Sequence, residues 1–577
     1  MNTKPSRNNW IDWLEVPHVW TVLLLFAVTL AAYIPAMRGG YIWDDDAFVT
    51  NNELLRAGWP GLRQIWFKFG ATDQYYPMAY GSFWLEYQAW GYWATGSHVV
   101  NVVLHALNAF LLWKVLNALR VPGAWLAAFI FALHPVEVES VAWITERKNV
   151  LSGTFYMLAA LAWLRFEPLP GSDPERGRDW RFYALAILLF CFALWSKTVT
   201  CSLPAALALV LWWKMDRIRW RDVWPLIPLF IIGAGMGLTT GWMEKHVIGA
   251  KGSDWALTLL ERFLIAGRAP WFYLSKLLWP EPLIFFYPRW QLDAAVWWQW
   301  LFPAATLGAL VGLWLARGKI GKAPLMVALF FVGTLFPALG FIDVYPFRYS
   351  FVADHFQYLA STGVLALVAA GIVSGLRFLP GGKSRAALCA GLLVMLGALT
   401  WRQGGGYHDL VTFYRTILAR NPQCWMAHDN LAFGMMRDGR VDDSIAESRQ
   451  SLAIKPDDPE AHVNLGNAVL AKGQLDEAQE LYEGALRVRP DFAEAHSNLG
   501  NILLFKKQLD MAINHYQKAL ELKPDYAEAH NNLGYAWLLQ RQPDRAIPEF
   551  NKALQLRPDY DQARVNLGNA QRLQGGR

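Results

Sequence analysis

The chain has 577 residues, 54% hydrophobic and 15% aromatic, with 17% charged and a formal net charge of +6. That length allows two or more domains, and the apolar excess, set against a charged C-terminal third, excludes a wholly soluble chain and points to a membrane body. The modest basic balance lies beside apolar runs, which excludes a nucleic-acid footprint, and the four cysteines, Cys191, Cys201, Cys389 and Cys424, have no spacing that suggests zinc or a required disulfide.

The N-terminal apolar run from Trp20 to Ala36 lacks a convincing small-residue cleavage site, so it reads as a first membrane helix rather than a removed signal peptide. A membrane helix needs roughly 20 mostly apolar residues. Eleven stretches qualify as candidate spans: 18–36, 98–118, 122–140, 148–165, 181–197, 199–215, 224–242, 297–316, 323–342, 356–376 and 385–401. Segment 263–280 carries Arg268 and Lys276 and ends in Pro280; it either lies in the interface or re-enters. Lys4 and Arg7 place the N-terminus in the cytoplasm. The clusters Arg176-Arg178-Arg181, Lys214-Arg217-Arg219-Arg221, Arg317-Lys319-Lys322 and Arg377-Lys383-Arg385 agree with that topology. The loop from Arg38 to Ser97 and everything after the last span are then extracytoplasmic.

That first outer loop, 37–97, opens with Trp43-Asp44-Asp45-Asp46 and then Asn51-Asn52. Adjacent carboxylates repel, so one pKa rises, which suits a general base. The alternative is an acidic interfacial turn. A second outer cluster holds His134, Glu137, Glu139, Glu146, Arg147, Lys148 and Asn149. Arg147 has the fork geometry for a phosphate, and His134 either bonds a carboxylate or caps a helix. Lys197, Arg262, Arg268, Arg348, Asp354 and His355 complete a set of acids and bases at one membrane boundary. Ionisable groups there are costly and usually functional. An anionic lipid phosphate is a natural guest.

From about residue 420 the pattern changes. Pro422, Pro456, Pro490, Pro524 and Pro558 stand 34 positions apart, as do Asn430, Asn464, Asn498, Asn532 and Asn566. This is the tetratricopeptide period, two antiparallel helices per unit, with a last unit reduced to one capping helix. The chain therefore reads as all-α: a polytopic bundle over 1–405, then an α-solenoid of about four repeats over 420–577. Asn464, Asn498 and Asn532 recur on one face of the first helices and are candidates to bond an extended acceptor peptide; the alternative is bonding within the stack. His462, His496 and His530 read as packing rather than metal ligands.

Trp-Asp44-Asp45 with the following Asn-Asn, Tyr-Pro-Met in the first loop, His98-x-x-Asn101-x-x-x-His105-Ala, Ala-Leu-His134-Pro135-Val-Glu-x-Glu139-Ser-Val-Ala, Arg147, Ser-Lys197 and Val-Ala-Asp354-His355-Phe-Gln-Tyr-Leu-Ala-Ser together resemble the transmembrane-and-TPR-containing O-mannosyltransferases. The resemblance runs in order along almost the whole chain. It implies a GT-C glycosyltransferase body, a polyprenyl-phosphate sugar donor, and a protein Ser or Thr hydroxyl as acceptor. It implies Asp44 or Asp45 as base, Arg147 with Lys197 at the donor phosphate, and an amide ladder like that of O-GlcNAc transferases. Family members usually have Glu-Arg where this chain has Asp354-His355, so His355 would contact phosphate only when protonated; Asp46 is an extra acid. The Trp-rich sequence suggests a bacterial relative with the arm in the periplasm, an undecaprenyl-type donor and a sugar that need not be mannose. No metal ligands are assigned and a divalent metal is left open. The rival readings are a non-enzymatic TPR scaffold for envelope or secretion proteins and a lipid-sugar transporter.

Overall fold

The computed structural model describes residues 19–170, 177–250, 255–379 and 381–575. Lys4, Arg7 and Arg176 lie outside the described residues. No strand occurs among the described residues, and the chain divides into two compact units, Met1–Thr416 and Ile417–Arg577.

In the first unit each of the eleven predicted stretches carries a helix. Their lengths do not reproduce eleven uniform spans. Among the described residues, four helices are long and apolar enough to cross a membrane: Ala94–Ala118, Trp220–Ile248, Trp297–Ile320 and Gly382–Tyr407. A fifth arises if the pair Ala124–Leu133 and Pro135–Ala142, bent by 51°, counts as one. Shorter apolar helices of 10–17 residues account for five more stretches. The interruptions have chemical causes. A proline has no N–H to donate and clashes with the preceding turn, and it follows the break at His134 and at Phe336. Lys197 ends one helix in extended backbone at φ −161°. Segment 263–280 lies on the helix Leu259–Leu278, which opens with a Thr258–Glu261 capping box. That helix is not among the four.

Six helices position the site: α1 (Val19–Ala32), α2 (Pro77–Trp90), α3 (Ala94–Ala118), α4 (Ala124–Leu133), α5 (Val138–Ala142) and α6 (Arg147–Phe166). Helix α3 carries His98, Asn101, His105 and Asn108, all fully buried, at the three- and four-residue steps that make one face. Asn101 and His105 serve backbone around the break after α4, with His105 Nε2 3.3 Å from the Ala132 carbonyl, and Asn108 braces α6. The Asn101 amide nitrogen is within 3.3 Å of the Val141, Trp143 and Ile144 carbonyls. Asn108 donates to the Val150 carbonyl at 2.7 Å, and His105 meets the Tyr358 hydroxyl at 2.9 Å. Irregular backbone at membrane depth survives only when protein satisfies it. The polar stripe on α3 does this and fixes the α5–α6 connection, where the candidate site lies.

The second unit is four helix pairs, Trp425–Arg437 with Val441–Ile454, Pro459–Ala471 with Leu475–Val488, Ala493–Phe505 with Leu509–Leu522, and Ala527–Leu539 with Pro543–Leu556, closed by Asp561–Gly575. Its core interleaves the fully buried Ala478, Ala512 and Tyr482 with Leu499 and Ile502. A Cβ on Gly466 would lie 2.6 Å from the Tyr482 ring, so only glycine allows that approach. Each repeat histidine donates from Nε2 to the proline carbonyl six residues earlier: His428 to Pro422, His462 to Pro456, His496 to Pro490 and His530 to Pro524, at 3.0–3.1 Å. The histidines thus close the bend that enters each unit.

Candidate active site

Asp44 and Asp45 follow a turn in which Trp43 adopts φ +50°. A side chain there costs about 1–2 kcal/mol. The Trp43 ring packs edge-on against Phe286 at 5.2 Å and Tyr349 at 6.1 Å. The turn sends the two carboxylates to different work. Asp45 is fully buried and saturated by backbone: Oδ2 accepts the Ile42 N–H and Oδ1 the Thr145 N–H, both at 2.9 Å. It clamps the loop to the segment before α6. Asp44, half-buried, accepts the Thr145 hydroxyl at 2.9 Å. Burial pushes Asp44 up to about 6, with the Lys148 ammonium and the Thr145 hydroxyl pulling the other way. Asp46 accepts from Thr50 at 2.9 Å within its own short helical stretch, as an acidic turn would.

Next to Asp44 lies a charged triplet. Glu146 holds Lys197 Nζ at 2.7 Å on one oxygen and Lys148 Nζ at 3.3 Å on the other. Burial raises the Glu146 carboxyl, but the two lysines outweigh it and bring it down to about 2. Lys148 also lies over the Phe48 ring at 4.5 Å. Two cations on one carboxylate leave a net positive locus beside Asp44. The sequence reading placed Lys197 here but gave no role to Thr145, Glu146 or Lys148.

Arg147 is elsewhere. It is fully buried, with Nε on Asn101 Oδ1 at 2.7 Å, Nη2 on the Ser97 carbonyl at 2.8 Å, and Nη1 on the Glu86 carboxylate. Its guanidinium also stacks on Phe83 at 4.7 Å. Arg147 thus ties α6 to α2 and α3 through its Nε, Nη1 and Nη2 atoms, where the sequence reading expected a fork on the donor phosphate. At the start of α6 the neighbouring side chain, Lys148, reaches different partners, Glu146 and the Phe48 ring, and its charge acts on Asp44.

His355 and Asp354 form a separate group. His355 Nδ1 meets Glu139 Oε1 at 2.5 Å, and the Asp354 N–H donates to Glu139 Oε2 at 3.2 Å. The Tyr287 hydroxyl lies 3.0 Å from both Asp354 oxygens. Burial pushes the Asp354 carboxyl up and the Tyr287 hydroxyl opposes it. This group adjoins the triplet, since the Glu146 charge acts on His355. His134 does not join it. Its Nδ1 accepts the Val136 N–H at 3.3 Å and its Nε2 donates to the Leu277 carbonyl at 3.1 Å, so it caps the break after α4. Arg262 pairs with Asp343 at 2.8 Å, away from these groups. Among the described residues no cluster of three or more His, Cys, Asp or Glu side chains has the arrangement to hold a metal ion.

In the repeat unit the expected ladder is internal. Asn464 donates to Asp429 at 2.8 Å, Asn498 to Asn467 at 3.0 Å and Asn532 to Asn501 at 2.9 Å. One amide donor each of Asn464, Asn498 and Asn532 joins adjacent first helices, the bonding within the stack that stood as the alternative to peptide contact.

Two lines of similarity bear on this arrangement. Family models described as "TPR repeat" and "Tetratricopeptide repeat" match residues 466–507, 500–540 and 527–560, so the second unit is a tetratricopeptide solenoid. Among curated proteins, the human protein O-mannosyl-transferase TMTC2 is 27% identical over 301 residues, 47% of this chain and 35% of that protein. The Xenopus laevis protein O-mannosyl-transferase tmtc2 is 31% identical over 153 residues, 25% of this chain and 18% of its own. The human match is longer than the whole second unit, so it includes part of the first. The matched stretches span about a fifth to a third of the relatives' length. A solved structure titled as a thermophilic TPR protein from Thermus thermophilus is 26% identical, covering 31% of this chain and 94% of that one at TM-score 0.26.

Proposed function

We propose that this chain is a membrane glycosyltransferase of GT-C type that moves a mannose-like sugar from a polyprenyl-phosphate donor to Ser or Thr hydroxyls of a polypeptide held by the repeat arm. The observation that carries the reading is the pairing of one raised carboxylate, Asp44, with a two-lysine locus around Glu146 at the end of apolar helices. The names of the relatives, protein O-mannosyl-transferases, support the same class.

The acceptor hydroxyl attacks the anomeric carbon. The new O–C bond forms as the C–O bond to phosphate breaks, the electron pair leaves on the phosphate oxygen, and the hydroxyl proton passes to Asp44. Configuration inverts. Asp44 at about 6 is ionised at neutral pH yet basic enough to take that proton. Lys148 and Lys197 stabilise the leaving phosphate, whose charge would relieve Glu146 as their partner. Asp45 positions the loop. His355 and Asp354 line the same region without a direct chemical step. The positive-inside pattern puts loop 37–97 and the arm on the extracytoplasmic face, in this reading the periplasm of a bacterial inner membrane.

The test is transfer in membranes that contain the intact chain. Radiolabelled polyprenyl-phosphate mannose should label protein with wild type and not with Asp44→Asn. Equal labelling by both would remove Asp44 as base. No label with several sugars would favour the scaffold reading.

A further inference from the structure

Glu244 is a buried acid that the transfer step leaves unused. It opens a π-helical turn, Glu244–Ile248, at the end of the helix Trp220–Ile248, and is 6% exposed. The basic cluster Lys214-Arg217-Arg219-Arg221 precedes that helix, so Glu244 stands at its outer end, on the side of Asp44. Its Oε2 accepts the Tyr345 N–H at 3.1 Å, and its Oε1 accepts from Gln74 Nε2 at 3.3 Å. Gln74 belongs to the same outer loop as Asp44. Its Oε1 is buried and has no partner among the described residues. The charges of Lys148 and Lys197 act on Glu244, and those of Glu244 and Lys148 act on the Tyr76 hydroxyl, so Glu244 and Tyr76 stand close to the lysine locus. Lys148 and Lys197 share the Glu146 carboxylate, yet neither forms an ion pair with Glu244 among the described residues.

We infer that Glu244 and Gln74 read the sugar of the donor, accepting hydrogen bonds from hydroxyls of the hexose whose phosphate lies on Lys148 and Lys197. This rests on the transferase reading and supplies the part of the donor that it left without a partner. The Gln74 Nε2 group is committed to Glu244, so its buried oxygen is left to accept, and a buried acceptor calls for a donor. Each Glu244 oxygen takes one protein donor and keeps lone-pair capacity for another. The pair therefore offers acceptors to a guest, which suits hydroxyls; a phosphate on this side would meet the Glu244 charge. Hydrogen bonds to a carboxylate are charge-assisted and shorter than neutral ones. A cation and a carboxylate that interact without pairing leave a gap between them, and a hexosyl phosphate presents its anion to one side of such a gap and its hydroxyls to the other. A site that bonds hydroxyls rejects analogues lacking them far more strongly than an apolar wall rejects a change of size. Glu244 and Gln74 would thus set which sugar is carried, while the lysines hold any polyprenyl phosphate.

The test measures binding rather than transfer. The full chain in phosphatidylcholine nanodiscs is titrated with radiolabelled polyprenyl phosphate that carries mannose, carries glucose or is bare. Wild type should bind one of the two hexose forms more tightly than the bare lipid. Gln74→Met keeps the side-chain length and removes the amide; Glu244→Gln keeps the shape and removes the charge. Each should weaken the preferred hexose form at least tenfold and leave the bare lipid within twofold. Lys148→Gln should weaken all three probes. A merely structural Glu244, tying the Gln74 loop to the Tyr345 segment, would instead weaken all probes alike, and that result in both variants would overturn the inference. So would unchanged hexose binding in both, or no hexose preference in wild type. Glu244→Gln sets an NH₂ against one of its two protein donors, so Gln74→Met decides the matter if that variant fails to fold. A chain that transfers sugar but shows no such selectivity loses the sugar contact alone. One that shows it without transferring loses the transferase reading alone.

Discussion

The Thr145 hydroxyl donates to Asp44 at 2.9 Å across 101 residues of sequence, while the Thr145 backbone N–H goes to Asp45. One residue thus reaches both acids of the pair, but it binds them with different groups.

This division separates two variants that look alike in sequence. Asp44→Asn keeps an acceptor for the threonine hydroxyl and removes the base. Transfer should fall by about 10²–10⁴, the range for losing a general base, with an unchanged melting temperature. Asp45→Asn replaces one accepting oxygen with NH₂ and strands a buried N–H. It should lower stability by about 1–3 kcal/mol, read by thermal unfolding in detergent.

Neighbouring cations should also part ways. Lys148→Gln and Lys197→Gln should raise the KM for the lipid donor and lower kcat while the protein remains folded. Arg147→Gln leaves the Glu86 carboxylate buried without its cation, a loss of about 3–5 kcal/mol, and should appear as a drop in folded yield before any kinetic effect is measurable.

Activity should fall on acidification. Asp44 is raised to about 6, and only its ionised form accepts a proton, so kcat/KM should be flat above that value and fall as pH drops through it. A pH–rate profile of donor transfer checks this; an inflection near 4 would mean that Asp44 is not the titrating base.

Two adjacent repeats should respond to pH in opposite directions. His515 donates Nδ1–H to His496 Nδ1 at 2.9 Å, and burial and His496 lower its pKa, with Glu483 acting the other way. A lowered histidine contributes stability that is present above its unfolded value of about 6.5 and lost as pH falls. For His530, burial lowers the pKa but the hydrogen bond to Glu549 outweighs it, and the net shift is upward. That contribution is present below about 6.5 and lost as pH rises through the folded value. Amide hydrogen exchange on the intact chain should show 493–522 loosening at pH 5 and 527–556 loosening at pH 8. His515→Glu should remove the acid sensitivity of the former.

The fold was legible where the sequence signal is local. A 34-residue repeat and runs of apolar residues are properties of neighbours, and helices stand on each predicted stretch. Asp44 and Asp45 were visible for the same reason. What escaped was pairing at long range. Arg147 beside a membrane boundary looks identical whether it faces a phosphate or a Glu86 61 residues away. Lys148 looks like its neighbour until the start of α6 gives the two different partners, Glu146 for Lys148 and Glu86 for Arg147. Asn498 advertises an amide, but Asn467, 31 residues earlier, receives it. Some stretches, such as 323–342, fall on helices shorter than predicted because a hydropathy window passes over a proline or a lysine that ends a helix.

The histidine-to-proline bond that closes each bend spans only six residues, at the junction where one helix pair follows another. Each of the four helix pairs is entered by such a joint, and contacts in such stacks reach only the next unit. Gain or loss of one whole unit leaves the remaining joints intact. The reach of the arm is therefore a heritable dimension with a fixed increment, free to change while the membrane body stays as it is.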